Sequence, residues 1–163
     1  MTSNLFNTET LDKFTDELFA LAKTATKESE MPYASLLIDV CTGVVLAKDF
    51  NRSRITFDPT DQCSISAIRK LQSALEVNGL PHVGLFSFFE PTIMSFDIAL
   101  FAKIKNFAWC IDAKSATSHY SMLDYTSLDY AKNNPGELNI VSSFKQNDAL
   151  KHLESLNLPT YPK

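Results

Sequence analysis

The composition of this chain excludes several broad classes of protein. It has 163 residues, 45% of them hydrophobic, with 12 Phe and only 4 Gly, which predicts one domain over residues 1–163 and excludes a disordered chain. No apolar run reaches the roughly 18 residues that a membrane-spanning helix needs. The net charge of −4 comes from 15 basic and 19 acidic residues scattered along the chain, which argues against a nucleic-acid-binding surface.

The amino-terminal sequence and the cysteines point to the cytoplasm. The first nine residues lack the basic start and apolar core of a secretory signal. The three cysteines, Cys41, Cys63 and Cys110, form neither an even set nor a Cys-x-x-Cys pair, so we expect no disulfide framework. We interpret Cys41 as a tolerated surface residue in a turn, and Cys110 as a small core residue.

The first third of the chain has the pattern of a helix followed by a β-hairpin. Residues 7–27 place apolar side chains at helical spacing, and Asn7 or Thr8 can cap the helix. Residues 33–40 and 44–51 are β-rich runs joined by a short Gly-containing turn, which predicts an antiparallel hairpin.

Strands and helices then alternate to the end of the chain. The pattern predicts helices over 63–77, 92–103, 123–131 and 147–156, and strands over 83–89, 106–111 and 137–144. The first two of these strands are almost continuously apolar, which suits a sheet covered on both faces. Right-handed crossovers place each helix on a face of the sheet. The sequence therefore predicts an α/β fold with three α-β-α layers around a five-stranded mixed sheet.

Four segments resemble those of a known superfamily. They are Pro-Tyr-Ala-Ser-Leu-Leu-Ile-Asp at 32–39, Asp-Phe-Asn-Arg at 49–52, the stretch 58–69 beginning Asp-Pro-Thr, and the stretch 90–105 beginning Glu-Pro. In order and spacing they resemble the cytidine deaminase-like superfamily, in particular its tRNA adenosine deaminase and guanine deaminase branch. The resemblance covers a core of about residues 32–112. Residues 113–163 form a carboxy-terminal loop, strand and helix, in which residues 137–156 fit the family's final strand and helix more loosely.

The resemblance also indicates which residues stand where the family carries its zinc chemistry. The family signature is His-x-Glu at one helix start and Pro-Cys-x-x-Cys at the next, with the Glu as proton shuttle. In this chain Gln62 stands at the His position, Ser64 at the Glu position, and Thr92 and Ser95 at the two Cys positions. Neutral oxygen donors lack the charge and softness of zinc ligands, and Ser cannot replace a catalytic carboxylate near neutral pH. The resemblance therefore implies a zinc-free, catalytically inactive homologue without a cofactor.

The outline of the family's pocket is expected to remain. The resemblance puts Asn51 where the family contacts a bound base, and we expect the pocket to be lined by Asn51, Gln62, Cys63, Ser64, Phe89, Thr92 and Ser95. For Thr92 we favour a helix cap over a binding role. The resulting hypothesis is a protein that binds a small nucleobase-like ligand or supports a partner deaminase subunit. The resemblance implies a homodimer, with a heterodimer containing an active deaminase as the alternative.

A second hypothesis is a metal-independent enzyme with Cys63 as its nucleophile. A helix amino terminus favours the thiolate, but a nucleophile also needs a base within reach. His82 follows the far end of the same helix, ~20 Å away, and is excluded. His152 belongs to the last helix, which leaves His119 as the candidate base. The simpler interpretation of Cys63 is a small residue where the family usually has Ala.

Two further interpretations concern the pocket and the partners. In a purely structural subunit the pocket would be filled by side chains, and Phe88, Phe89 and Phe96 are bulky enough to contribute. Binding of tRNA is not expected, because the last helix is close to neutral here and basic in the tRNA-acting members of the family.

Overall fold

A computed structural model describes residues 5–116, 125–133 and 136–158, and the structural statements below concern these residues. The helices are α1 (Thr8–Lys13), α2 (Thr15–Lys27), α3 (Cys63–Leu75), α4 (Ile93–Phe101), α5 (Ser127–Lys132) and α6 (Gln146–Glu154), with a short 3-10 helix at Ala113–Ala116. The strands are β1 (Ala34–Asp39), β2 (Val45–Phe50), β3 (Val83–Phe89), β4 (Asn106–Ile111) and β5 (Asn139–Val141). In the described ranges no helix is both long and apolar enough to cross a membrane.

The five strands form one mixed sheet in the order β2-β1-β3-β4-β5. β1 is antiparallel to both β2 and β3, whereas β3, β4 and β5 run parallel. Leu36 pairs with Lys48 on one side and with Phe86 on the other, so the hairpin is joined directly to the parallel strands. Because β1 is antiparallel to its two neighbours, the carboxyl ends of β2, β3 and β4 meet at one edge. The predicted five-stranded mixed sheet is confirmed.

Helices cover both faces of the sheet. Side chains of β4 alternate, so that Ala108 and Cys110 pack under α1, α2 and α6, while Phe107 and Trp109 pack under α3, α4 and α5. All residues of β3 and β4 are buried. This double coverage explains why both strands are almost continuously apolar in sequence, and it confirms the predicted three-layer α-β-α arrangement.

Several predicted boundaries agree with the structure. The strands at 83–89 and 106–111 are found as predicted. The helix predicted over 63–77 begins at Cys63 but ends at Leu75. It stops there because Glu76 adopts the left-handed conformation, with φ of 55°.

The prediction of a single helix over residues 7–27 is wrong. The helix is interrupted at Phe14, whose φ and ψ are −106° and 3°, and the second segment starts at Thr15. The Thr15 hydroxyl donates a hydrogen bond to the carbonyl oxygen of Leu11 at 3.0 Å, a side-chain to backbone bond that bends helices. The predicted cap is confirmed, since the Asn7 side chain accepts from the backbone N–H of Thr10.

The carboxy-terminal elements are shorter than predicted. The strand predicted over 137–144 extends only over Asn139–Val141. Positive φ values at Ser143 and Lys145 turn the chain before it can continue along the sheet. The helix predicted over 123–131 begins at Ser127, and its first two predicted residues lie outside the described ranges.

Candidate functional site

The predicted site residues gather at the edge where the carboxyl ends of β2, β3 and β4 meet. Asn51 directly follows β2, and Phe89 is the last residue of β3. Two helices begin at the same edge, α3 after the loop that follows β2, and α4 after Glu90-Pro91. In open α/β sheets this edge is where ligands bind.

Three of the predicted residues are joined by hydrogen bonds. The Thr92 and Ser95 hydroxyls both donate to the side-chain Oε1 of Gln62, at 2.7 Å and 2.8 Å. Gln62 precedes α3, while Thr92 and Ser95 belong to the start of α4, so the cluster links the two helix starts. The Gln62 Nε2 donates in turn to the carbonyl oxygen of Pro59 at 3.3 Å. The Gln62 amide is therefore bonded through both its oxygen and its nitrogen.

The predicted cap at Thr92 is confirmed. Its hydroxyl oxygen accepts from the backbone N–H of Ser95 at 3.2 Å, which satisfies one of the free donors at the start of α4. The same hydroxyl donates its proton to Gln62. Thr92 thus acts both as a cap and as part of the bridge to α3.

Ser64 and Cys63 point into the protein towards β1. The Ser35 hydroxyl donates to the Cys63 Sγ at 3.1 Å, and its oxygen lies 2.8 Å from the Ser64 Oγ. Either hydroxyl can be the donor in the contact between Ser35 and Ser64. Both α3 residues are buried. Their side chains bond to Ser35 on β1 and not to Gln62.

The amide of Asn51 is held by a buried carboxylate. Its Nδ2 donates to Glu30 Oε2 at 2.9 Å and to the Ser53 Oγ at 2.8 Å. The other carboxylate oxygen, Glu30 Oε1, accepts from the backbone N–H groups of Arg54 and Ile55 at 2.7 Å and 2.9 Å. Glu30 is fully buried, so the carboxylate fixes the loop that follows β2 together with its first side chain.

Several deaminases are among the solved structures that share this architecture. One comes from work on A-to-I editing by tRNA:A34 deaminases and is 21% identical, covering 86% of this chain and 99% of that chain with a TM-score of 0.71. A guanine deaminase from Nitrosomonas europaea is 13% identical, covering 86% and 80% with a TM-score of 0.71. A guanine deaminase from Bacillus subtilis is 19% identical, covering 93% and 84% with a TM-score of 0.63.

The chain has the cytidine deaminase-like fold. No protein-family profile and no curated protein sequence matches it significantly. The fold predicted from the four sequence segments is therefore confirmed by three-dimensional similarity. At these levels of identity the similarity concerns the fold, and the chemistry has to be argued from the residues of this chain.

The clustered side chains at this edge of the cytidine deaminase-like sheet do not suit a zinc ion. Gln62, Thr92 and Ser95 present neutral oxygens that are already hydrogen bonded to one another, whereas zinc in proteins takes imidazole, thiolate or carboxylate ligands. In the described ranges no group of three His, Cys, Asp or Glu side chains is arranged to hold a metal. No buried side-chain nitrogen or oxygen in those ranges lacks a hydrogen-bond partner either.

Two further residues shape this edge of the deaminase-like sheet. Phe89 is 4% exposed and packs edge-on against the rings of Tyr33 and Phe88, each at 5.2 Å between centroids. The buried carboxylate of Glu90 accepts from the backbone N–H groups of Ala113 and Leu128, both at 2.9 Å. Glu90 thereby ties the end of β3 to the segment after β4 and to the start of α5.

The aromatic residues considered as pocket fillers lie in the two cores. Phe88 is fully buried in the core under α2 and α6, next to Phe19 at 5.3 Å. Phe96 is fully buried on the opposite face of the sheet and stacks on Phe107 at 4.2 Å. Their burial is explained by packing on the sheet.

Cys63 lacks the environment of a nucleophile. Burial raises the pKa of the Cys63 thiol, and the hydrogen bonds from Ser35 and Ser64 only oppose that rise. A reactive cysteine needs the opposite shift and an accessible sulfur, yet this sulfur is in a residue that is 8% exposed. His119, the expected base, lies outside the described residues.

The sequence did not reveal the buried side chains that hold the site residues in place. Neither Ser35, which holds Cys63 and Ser64, nor Glu30, which holds Asn51, was singled out. Glu30 follows a helix and precedes Met31 and Pro32. Its full burial could not be read from that context, because a carboxylate at the end of a helix is usually solvated.

Proposed function

We propose that this protein is a zinc-free, catalytically inactive member of the deaminase-like fold that acts by binding. The observation that carries the proposal is the Gln62-Thr92-Ser95 cluster, because the resemblance assigns these three residues to the zinc-ligand positions. In zinc deaminases one metal ion joins the two helix starts. Here two hydrogen bonds to the Gln62 amide oxygen make that connection without a metal. The chain thereby keeps the two helix starts connected but lacks the metal ion that activates water in those enzymes.

The occupant we propose for the retained edge is a small nucleobase-like ligand. Gln62 and Thr92 are only partly buried. A molecule bound at this edge of the sheet can therefore contact their polar atoms. The remaining predicted lining residues, among them Asn51 and Phe89, stay part of the proposed site. A small planar ligand with several donors and acceptors suits an expected lining that combines amide and hydroxyl groups with an aromatic ring.

We also propose that the protein pairs with another deaminase-like subunit through α4. Apart from Ser95 and Asp97 the helix is apolar, with the sequence Ile-Met-Ser-Phe-Asp-Ile-Ala-Leu-Phe over 93–101, a pattern typical of a helix that is covered on most sides. Its outward residues Met94 and Phe101 are 37% and 75% exposed in the monomer. A second copy of this chain is the simplest partner, and an active deaminase subunit is the alternative.

We further propose that residues 1–163 form one domain that works in the cytoplasm. All three cysteines are free thiols, which is consistent with a reducing compartment.

Zinc content tests the central proposal. We expect protein purified without chelators to contain far less than one zinc per chain by elemental analysis. A stoichiometric zinc that survives dialysis would overturn the proposal. The proposed ligand class is tested separately by titrating the protein with adenine, guanine and cytosine in a calorimeter. We expect Gln62→Ala to bind the ligand more weakly than the wild type.

The oligomeric state tests the proposed partner surface. We expect light scattering of the purified chain to give the mass of a dimer, and Phe101→Asp to shift it to the monomer. Val44→Asp is a matched control, because Val44 is 53% exposed in the turn between β1 and β2, at the opposite edge of the sheet. A monomeric wild type that becomes dimeric only with an added active deaminase would support the heterodimer.

A further inference from the structure

A cysteine and a histidine from different loops meet at the edge of the sheet opposite the proposed ligand site. The Sγ of Cys41, in the turn after β1, lies 4.0 Å from Nδ1 of His82, which directly precedes β3. Both residues are exposed. The pair is 41 positions apart in the chain, so the spacing in sequence could not reveal it.

Backbone contacts hold the two loops together at this point. The N–H of Val40 donates to the carbonyl oxygen of His82 at 2.8 Å. The Asp39 Oδ1 accepts from the backbone N–H groups of Cys41 and Thr42, both at 2.8 Å. Gly43 closes the turn with a φ of 68° and donates to the carbonyl oxygen of Asp39. The thiol is therefore positioned by an ordered turn and faces the imidazole.

Asp39 adds a negative charge next to the pair. Burial by itself would raise the pKa of Asp39, but hydrogen bonds from Thr42 and Cys41 and the nearby charge of His82 together lower it. The carboxylate thus stays ionised near neutral pH, next to an imidazole whose Nδ1 lies within reach of the thiol.

The other two thiols are shielded from reagents. Cys63 and Cys110 are buried, and burial raises the pKa of Cys110 to about 12. Cys41 is the exposed thiol of the three. Thiol chemistry in the folded protein is thereby confined to one position.

We propose that Cys41 is a modification site that forms mixed disulfides with small disulfides, assisted by His82. The thiol proton passes to Nδ1 of His82, and the thiolate attacks one sulfur of the small disulfide. The sulfur–sulfur bond of the reagent breaks as the new bond to Cys41 forms. The departing thiolate takes up the proton, so one reagent sulfur is reduced while Cys41 is oxidised. Exchange with a second small thiol reverses the modification.

The reaction with dithiodipyridine tests this proposal, because each transfer releases one absorbing pyridinethione. We expect native wild type to release one equivalent in a fast phase, and peptide mapping to place the adduct on Cys41. Cys41→Ser should abolish that phase. His82→Gln should slow it roughly fivefold or more, because the thiol loses its neighbouring proton acceptor.

The unfolded chain provides the control. In denaturant we expect wild type and His82→Gln to react at the same rate per thiol, because the 4.0 Å contact exists only in the folded protein. Equal rates of the two proteins in the native state would overturn the proposal. So would a fast adduct on Cys63 or Cys110, or a native Cys41 that reacts no faster than a short cysteine peptide.

Discussion

The hydroxyl of Ser95 donates a hydrogen bond to the side-chain Oε1 of Gln62 at 2.8 Å, joining residues 33 positions apart in the sequence. Gln62→Ala removes the acceptor of this bond and of the bond from Thr92, and it leaves the buried Ser95 hydroxyl without that acceptor. We expect the free energy of unfolding to fall by about 1–3 kcal/mol, measured by urea denaturation. Gln72→Ala, a substitution later in α3 at a partly buried glutamine, should change it by less than about 0.5 kcal/mol.

This edge of the sheet should accept a zinc ion if zinc ligands are introduced into the cluster. The triple variant Gln62→His, Thr92→Cys, Ser95→Cys replaces each member of the hydrogen-bonded cluster by the residue type that the resemblance to zinc deaminases assigns to that position. Because the cluster already brings the three side chains together, we expect the variant to retain about one zinc per chain by elemental analysis. Failure of a folded triple variant to bind zinc would show that the two helix starts are arranged differently from those of the enzymes.

The Phe6 ring lies so close to Gly84 that it leaves no room for a side chain at that position. A Cβ added to Gly84 would lie 2.2 Å from Cδ2 of the Phe6 ring, and Phe6 is 2% exposed. We expect Gly84→Ala to destabilise the protein by about 1–3 kcal/mol through overpacking. In a Phe6→Ala background the same substitution should cost much less. Additive effects in this double-mutant cycle would contradict the prediction.

The buried carboxylate of Glu90 supports the segments that follow β4. Glu90→Gln places an amide nitrogen where a carboxylate oxygen now accepts hydrogen bonds from N–H donors at Ala113 or Leu128. We expect a loss of about 2 kcal/mol in the free energy of unfolding, together with faster hydrogen exchange at the Leu128 amide. Glu154→Gln, at an exposed position at the end of α6, is the matched control and should have little effect.

His152 predicts a dependence of stability on pH. Its burial lowers the pKa from the ordinary value of 6.5, although the contact with the Phe19 carbonyl at 3.1 Å opposes the shift. A lowered pKa means that the unfolded chain protonates first as the pH falls. The contribution of His152 is therefore complete above pH 6.5 and is lost as the pH falls through the folded-state pKa.

The contribution of His152 is measured by following the unfolding midpoint between about pH 7.5 and 5.5. Histidine is the side chain whose ordinary pKa lies in this interval. Wild type should lose stability across this interval. In His152→Gln the loss should be smaller, because the substituted side chain takes up no proton. An unchanged pH dependence in the variant would contradict the assignment.

The sequence predicted the frame of the molecule closely. The strands at 83–89 and 106–111 and the start of α3 at Cys63 follow from local signals, namely continuous apolar runs and helical periodicity. The cap at Thr92 follows from a hydroxyl residue directly before an apolar helix. The helix break at Phe14 was missed, because the Thr15 hydroxyl bond that accompanies it leaves the apolar spacing unchanged.

What the sequence by itself determined was the layered α/β fold and which residue types stand at the ends of its helices, because period, caps and apolar runs are properties of neighbouring residues. Only the tertiary structure decided where the polar side chains find their partners. The bonds from Thr92 and Ser95 to Gln62, and from Asn51 to Glu30, join segments brought together by the sheet. The same holds for Cys41 and His82. Such pairs form only where the fold brings two side chains close together. The packing of the helices on the sheet determines where this happens.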